Sequence, residues 1–343
     1  MPAMTTTTTS SAGARMDRRA LAACSFNEAK IPDKGEDADP LAHIEDDKVA
    51  FLGVFDGLGG SGCLRCGGAD GVHTSAYYGA RVARASTEAF LRRTAAFADV
   101  TPDALAAVLT EHLAEDLRAY DARWGAVASS ALRSTLFRRL PTTAAVAIVR
   151  PRRDTARVQL LWAGDSRCYT LSPSRGLQQL TVDHLRSPGD AFASLAGDSS
   201  ISNCISADEA FHIAGVEVEL PTPCVVLAAT DGCFGYVLTP MHFEALLLDA
   251  LMNTRSIARW LEDVRRRIAA IAADDASLTA LTVGWSRHGA LRRAFVERAR
   301  FLNETYIAPL AAVDGAAARV ELWRHYAPTY EALLPTEVVC TTR

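Results

Sequence analysis

The chain predicts an α+β fold, on three observations. Six apolar runs of strand length recur along it, amphipathic helical stretches fall in pairs between them, and that order departs from strict βαβ alternation. ALAACSF and VAFLGVF come first, each about the five or six residues of a usual buried strand. Two helical stretches follow, SAYYGARVARASTEAFLRRTAAF and TPDALAAVLTEHLAEDLRAYDARW, the second opened by Thr101 as N-cap with Pro102 in its first turn. AAVAIV, VQLLWA and CVVLAAT are the next three strands, MHFEALLLDALMN and SIARWLEDVRRRIAAIA a second helical pair, and LTALTVGW the last strand. Helices in pairs cover a sheet.

Past Trp285 the composition shifts to two helices rich in aromatic residues, RRAFVERARFLNETYIAPLAAV and AAARVELWRHYAPTYEALLP. Leu322, Trp323, Tyr326, Tyr330 and Leu333 recur there at helical spacing and are expected to pack on the main domain. The alternative is a stripe that docks a partner or a second copy of the chain. Three parts are expected: a disordered Thr/Ser-rich leader at 1–20, the main domain at 21–285 and a helical extension at 286–343.

Composition excludes several classes. The chain has 343 residues, 49% of them hydrophobic, enough for a substantial core. Its net charge of −4, with both signs mixed, offers no basic field to hold nucleic acid. No apolar run approaches the roughly 20 residues of a membrane span. Eight scattered cysteines and a leader without an apolar signal core fit reduced thiols in a cytoplasmic protein.

Acids at strand ends carry the functional signal. Asp56 closes VAFLGVF, Asp165 follows VQLLWA in GDSR, Asp231 follows CVVLAAT, and Asp274 stands just before LTALTVGW. Strands that end or begin at carboxylates gather them at one sheet edge, where hard oxygen ligands suit Mg²⁺ or Mn²⁺. Gly57, Gly59 and Gly62 satisfy G-x-G-x-x-G, yet a dinucleotide site needs a helix to start within the glycines, and here none is expected before about Ser75. Cys63 and Cys66 form C-x-x-C with no second pair at zinc spacing, so they read as free thiols.

GEDAD (Gly35 to Asp39), VFDGLGG (Val54 to Gly60), PTTAAVAIV, WAGDSRCYTL with LQQLTVDH, LAATDGCFGYV and DDASLTALTV resemble, in order and spacing, the successive motifs of metal-dependent protein phosphatases of the 2C type. The resemblance spans roughly Leu21 to Trp285. It implies a four-layer α-β-β-α sandwich of two antiparallel sheets flanked by helix pairs, with two Mg²⁺ or Mn²⁺ ions at one end. By the same resemblance Asp56 bridges both ions, the Gly57 carbonyl binds one of them, and Asp231 and Asp274 bind the other. Asp37, with Glu36 beside it, binds directly or through water, and Asp165 matches the acid associated with a third, weaker ion in bacterial members. The implied activity is serine/threonine phosphoprotein hydrolysis by a metal-activated water.

Accessory positions depart from the family. Leu58 stands where many members carry a general-acid His, and KIPDKGED lacks the phosphate-binding Arg, for which Lys34 or Lys30 is the expected stand-in as a point charge. Asp275 replaces an Asn, with added charge expected to act on the metals, and Pro141 replaces a Gly. His184 in LTVDH is expected to be structural, and 184–223 to supply the flap over the cleft. A catalytically weak, phosphatase-like regulatory or binding module is the alternative function.

Overall fold

The structure, a computed structural model, describes residues 6–8, 20–45, 48–68, 70–94, 99–124, 137–186, 200–312 and 316–336. In chain order the first strands are β1 (Thr6–Thr8), β2 (Leu21–Glu28), β3 (Leu41–Glu45), β4 (Val49–Gly57), β5 (Arg65–Gly68) and β6 (Gly71–Thr74). Helices α1 (Ser75–Thr94) and α2 (Pro102–Trp124) follow, then β7 (Thr142–Pro151), β8 (Thr155–Ala163), β9 (Arg167–Ser172), β10 (Gly176–Gln179), β11 (Ala214–Pro221) and β12 (Cys224–Ala229). The remainder is α3 (Asp231–Phe234), α4 (Pro240–Asn253), α5 (Ile257–Ala269), β13 (Ala276–Val283), α6 (His288–Leu302), α7 (Ala308–Ala312) and α8 (Ala316–Tyr330). A π-helical turn at Asn303–Ile307 joins α6 to α7.

Two antiparallel sheets form, in the orders β1-β2-β13-β12-β9-β10 and β11-β8-β7-β4-β3. Their facing sides pack Leu52, Val54, Val149, Leu160 and Trp162 of one against Leu21, Val226, Leu281 and Val283 of the other. The outer side of the second sheet, with Phe51, Phe55, Val146 and Ile148, is covered by Leu105, Leu109, Leu113 and Leu117 of α2 and by Phe90 of α1. The outer side of the first, with Phe26, Leu171, Val225 and Leu227, is covered by Met241 and Leu247 of α4, Trp260 and Val264 of α5, and the C-terminal helices. Strands sandwiched on both faces are buried at every position: β12 reads as a continuous apolar run, while β13 also buries the small hydroxyl residues Ser277, Thr279 and Thr282. This is the expected α-β-β-α sandwich.

Beyond the six expected strands the structure adds β1, β3, β5, β6, β9, β10 and β11, and two of these overturn a specific expectation. Residues 214–221 are not flap: β11 pairs with β8 along its whole length, from Ala214 opposite Trp162 to Pro221 opposite Thr155. Val216, Val218 and Leu220 alternate with Glu217 and Glu219, the pattern of an edge strand with one wet face, and that alternation was the available signal. Part of the Thr-rich leader, Thr6–Thr8, pairs antiparallel with Ala22–Cys24. Residues 187–199 of the expected flap lie outside the described residues.

The aromatic stripe of α8 packs on the main domain. Trp323, Tyr326 and Tyr330 are buried in the same core as Phe243 and Leu247 of α4, while Leu322 and Leu333 are partly buried. Buried polar groups find partners across the junction: Arg298 on α6 donates twice to Glu244 on α4, at 2.6 and 2.9 Å, and the Tyr326 hydroxyl donates to the same carboxylate. A buried carboxylate left alone would be costly, so this cluster also fixes the docking register.

Candidate metal centre

The sandwich brings the strand-end acids to one edge. Asp56 is the penultimate residue of β4, Asp165 follows β8 in the Gly164–Asp165–Ser166 turn, Asp231 opens α3 directly after β12, and Asp274 precedes β13. Asp37 is 1% exposed, on the loop after β2, where Ala38 N–H donates to Phe55 O and so ties that loop to β4.

Four of these carboxyls face one another. The Asp56 carboxyl lies close enough to Asp37 and to Asp231 to interact with both. Burial raises its pKa well above the ordinary carboxylate range, and Asp37, Asp231, Asp165 and Asp274, in that order, raise it further. Asp37 is raised by burial, then by Asp275 and Asp231; Asp165 by burial, then by Asp231 and Asp183. Asp231 is raised by burial and by Asp274. Thr230 Oγ1 donates to Asp37 Oδ2 at 3.1 Å, whereas Asp37 Oδ1 and Asp165 Oδ1 are buried with no hydrogen-bond partner. Hard oxygens, buried, mutually repelling and in part unsatisfied, form a donor set that fits hard divalent cations. Among the described residues no three acid, His or Cys side chains share a single coordination sphere.

Asp274 lies at the rim, exposed, its pKa raised by burial of the carboxyl and by Asp275. Gly57, buried, ends β4 opposite Thr142. Glu36 turns aside, its carboxylate accepting from Thr74 Oγ1 and lying so close over Gly59 that a Cβ there would sit 1.8 Å from Oε2. Thr74 belongs to the β5–β6 hairpin, which stands between the glycine loop and α1 and starts the helix at Ser75. No dinucleotide loop forms.

The two lysines offered for phosphate binding stand in different surroundings. Lys30 Nζ donates to Ala272 O at 2.5 Å, and Lys34 is exposed on the turn before Glu36. Arg81 of α1, which sequence reasoning passed over, donates to Glu36 O at 3.2 Å and to Tyr77 O at 3.0 Å. Its guanidinium lies 3.3 Å above the Tyr77 ring. Nothing in the spacing of Arg81 along an amphipathic helix marks it out; only the folded position does.

Asp275 acts on the backbone. Its Oδ1 accepts from Lys30 N–H at 2.7 Å and its Oδ2 from Glu36 N–H at 2.6 Å, so the extra acid pins both ends of the 30–36 loop. His184 is structural, as expected: its Nδ1 accepts from Gly164 N–H at 3.1 Å, and its own backbone N–H donates to Gly164 O at 2.9 Å. Gly164 needs that support and needs to be glycine, because its φ is +96°. Burial pushes the His184 imidazole down to about 4, so it stays neutral and keeps its acceptor nitrogen. Cys63 and Cys66 are free thiols, the first exposed and the second buried.

No protein-family model matches the chain, and no curated protein matches it. Solved structures do. A bacterial serine phosphatase is 14% identical over 76% of this chain and 97% of its own, with a TM-score of 0.53. The serine/threonine phosphatase Stp1 from Staphylococcus aureus is 13% identical over 76% of this chain and 94% of its own, with a TM-score of 0.52. The chain has the fold of these phosphatases. The catalytic domain of the serine threonine protein phosphatase PstP, in complex with 2 manganese ions, is 14% identical over 76% of this chain and 97% of its own, at 0.50. At such identities the likeness is one of fold, and the chemistry has to be argued from this chain's own acids.

Proposed function

We propose that the protein is a metal-dependent phosphomonoester hydrolase acting on phosphorylated serine and threonine in proteins. What carries the reading is the meeting of Asp37, Asp56, Asp165 and Asp231, drawn from both sheets, with an unsatisfied buried oxygen on Asp37 and on Asp165, on a phosphatase fold. Asp56, the Gly57 carbonyl, Asp231 and Asp274 would hold two Mg²⁺ or Mn²⁺ ions. Glu36 and Asp37 would bind directly or through water, and Asp165 would hold a third, weaker ion. Bound there, the cations supply Lewis acidity that makes a water nucleophilic near neutral pH and screens the phosphoryl charge.

The remaining work falls to the chain. Thr142 Oγ1 donates to Asp56 O at 2.6 Å and fixes the end of β4, while His184 and Asp275 fix the loops that carry Asp165 and the early acids. Arg81 and Lys34 border the early acids and would orient the phosphoryl oxygens, Arg81 with the planar fork that a lysine lacks. With Leu58 in place of a histidine, protonation of the leaving group falls to solvent.

No described helix is long and apolar enough to cross a membrane; a cytoplasmic phosphoprotein is the proposed substrate. A weakly active regulatory module is the second reading, favoured by Leu58 and by carboxyls that do not share one coordination sphere. Asp56→Ala and Asp231→Ala separate the two. Each should lower kcat on a phosphoserine peptide at least about a hundredfold while circular dichroism stays unchanged; retained rates would leave these acids as ordinary strand-end carboxylates.

A further inference from the structure

Behind Asp165 and Asp231 lies a buried cation. Arg167, first residue of β9 and 4% exposed, donates to both oxygens of Asp183, from Nε at 2.8 Å and from its terminal nitrogen at 2.6 Å. Its guanidinium carbon sits 4.3 Å over the Phe234 ring, three residues after Asp231. The positive charge reaches both Asp165 and Asp231, and the Asp183 carboxylate reaches Asp165. A small rotation of this pair would therefore alter the field at two of the clustered acids and the turn that carries one of them.

The far end of the chain reaches this pair. Tyr330, the last residue of α8 and 1% exposed, is near enough to interact with the Arg167 guanidinium and with Tyr169. Its ring tilts on Tyr169 at 6.4 Å and meets Trp323 edge-on at 5.6 Å. Its hydroxyl donates to Gln179 Oε1 at 3.0 Å, and the Gln179 amide in turn donates to Thr181 O at 2.6 Å, on the segment leading to Asp183. Gln178 Nε2 donates to Thr329 O at 2.8 Å, so the end of α8 is stitched to β10 at two consecutive residues. A hydrophobic lid would need none of these polar bonds.

We infer that Tyr330 is a positioning residue: the C-terminal helix holds the Arg167–Asp183 pair in place behind Asp165 and Asp231, and so belongs to the support of the acid cluster. The inference rests on the proposed metal role of those acids for its effect on function, but not for the contact itself. Two variants of the full chain test it. Tyr330→Phe keeps the ring and removes the hydroxyl; Tyr326→Phe removes the equivalent group from the same helix, where it serves Glu244 and not Arg167.

Two readouts are needed, the Arg167 Nε–H resonance with its solvent exchange, and Mn²⁺ affinity by calorimetry. Tyr330→Phe should shift the resonance, speed its exchange and weaken Mn²⁺ binding about tenfold, the lower end of what residues supporting metal ligands cost. Tyr326→Phe should lower the melting temperature and leave both readouts alone. Unchanged readouts in Tyr330→Phe, or equal changes in Tyr326→Phe, would overturn the inference and leave α8 as packing. If the wild-type protein binds no Mn²⁺, the metal reading fails, and the Arg167 resonance alone decides whether Tyr330 positions it.

Discussion

Asp275 shows how one extra oxygen changes a residue's job. An amide side chain has one acceptor oxygen beside a donor NH2, whereas the Asp275 carboxylate gives Lys30 N–H and Glu36 N–H an oxygen each. Asp275→Ala should leave two backbone donors short of partners, at about 1–3 kcal/mol each where water cannot replace them. Amide hydrogen exchange should accelerate selectively at Lys30 and Glu36, and unchanged protection there would show that the loop is held by other contacts.

Asp37 makes the opposite test, because its burial is a cost to the fold. A carboxyl whose pKa is raised on folding stabilises the protein below its unfolded value, and that stabilisation is lost as pH rises through the folded value. In chelator, melting temperature should therefore fall as pH rises from about 4 toward 8. Asp37→Asn should melt about 2–5 °C higher than the wild type at pH 8 and gain less from added Mn²⁺. A variant that melts lower at pH 8 would mean that Asp37 is stabilised by its neighbours rather than crowded by them.

At the scale of elements, the C-terminal helices behave as core. Leu291, Phe295, Trp323, Tyr326 and Tyr330 cover the outer face of the first sheet together with α4, and Glu244 depends on Arg298 and Tyr326 for its hydrogen bonds. A chain ending at Trp285 should lose solubility, or melt well below the full-length protein if it folds. An equally soluble and stable truncation would make the extension a detachable appendage.

The aromatic spacing of α8 announced this packing, and the long apolar strands announced themselves because both of their faces are buried. Shorter elements were harder to read. The alternation in AGVEVELP was legible but was absorbed into an expected flap, while the RCGG and GVHT strands of the β5–β6 hairpin carry glycines and few apolar residues, so nothing in them marks a strand. Of the site, the acids were legible because an acid ending an apolar run is unusual. Asp275 as a backbone clamp, Arg81 on the Glu36 carbonyl and Tyr330 near Arg167 were not, since each depends on contacts between segments tens to hundreds of residues apart.

For the whole molecule, the sandwich explains why the acids gather at one edge: two sheets face to face bring the ends of β4, β8 and β12 and the start of β13 together there. The outer helices and the α8 cover shield the outer faces of the central strands. The central claim is that divalent cations at this edge drive phosphomonoester hydrolysis, and the most direct test is a titration. Protein stripped with EDTA and then supplied with Mn²⁺ or Mg²⁺ should go from no turnover of p-nitrophenyl phosphate to turnover that saturates with metal, and EDTA should abolish it again. Undiminished hydrolysis by the stripped protein, with metal analysis finding none bound, would contradict the account.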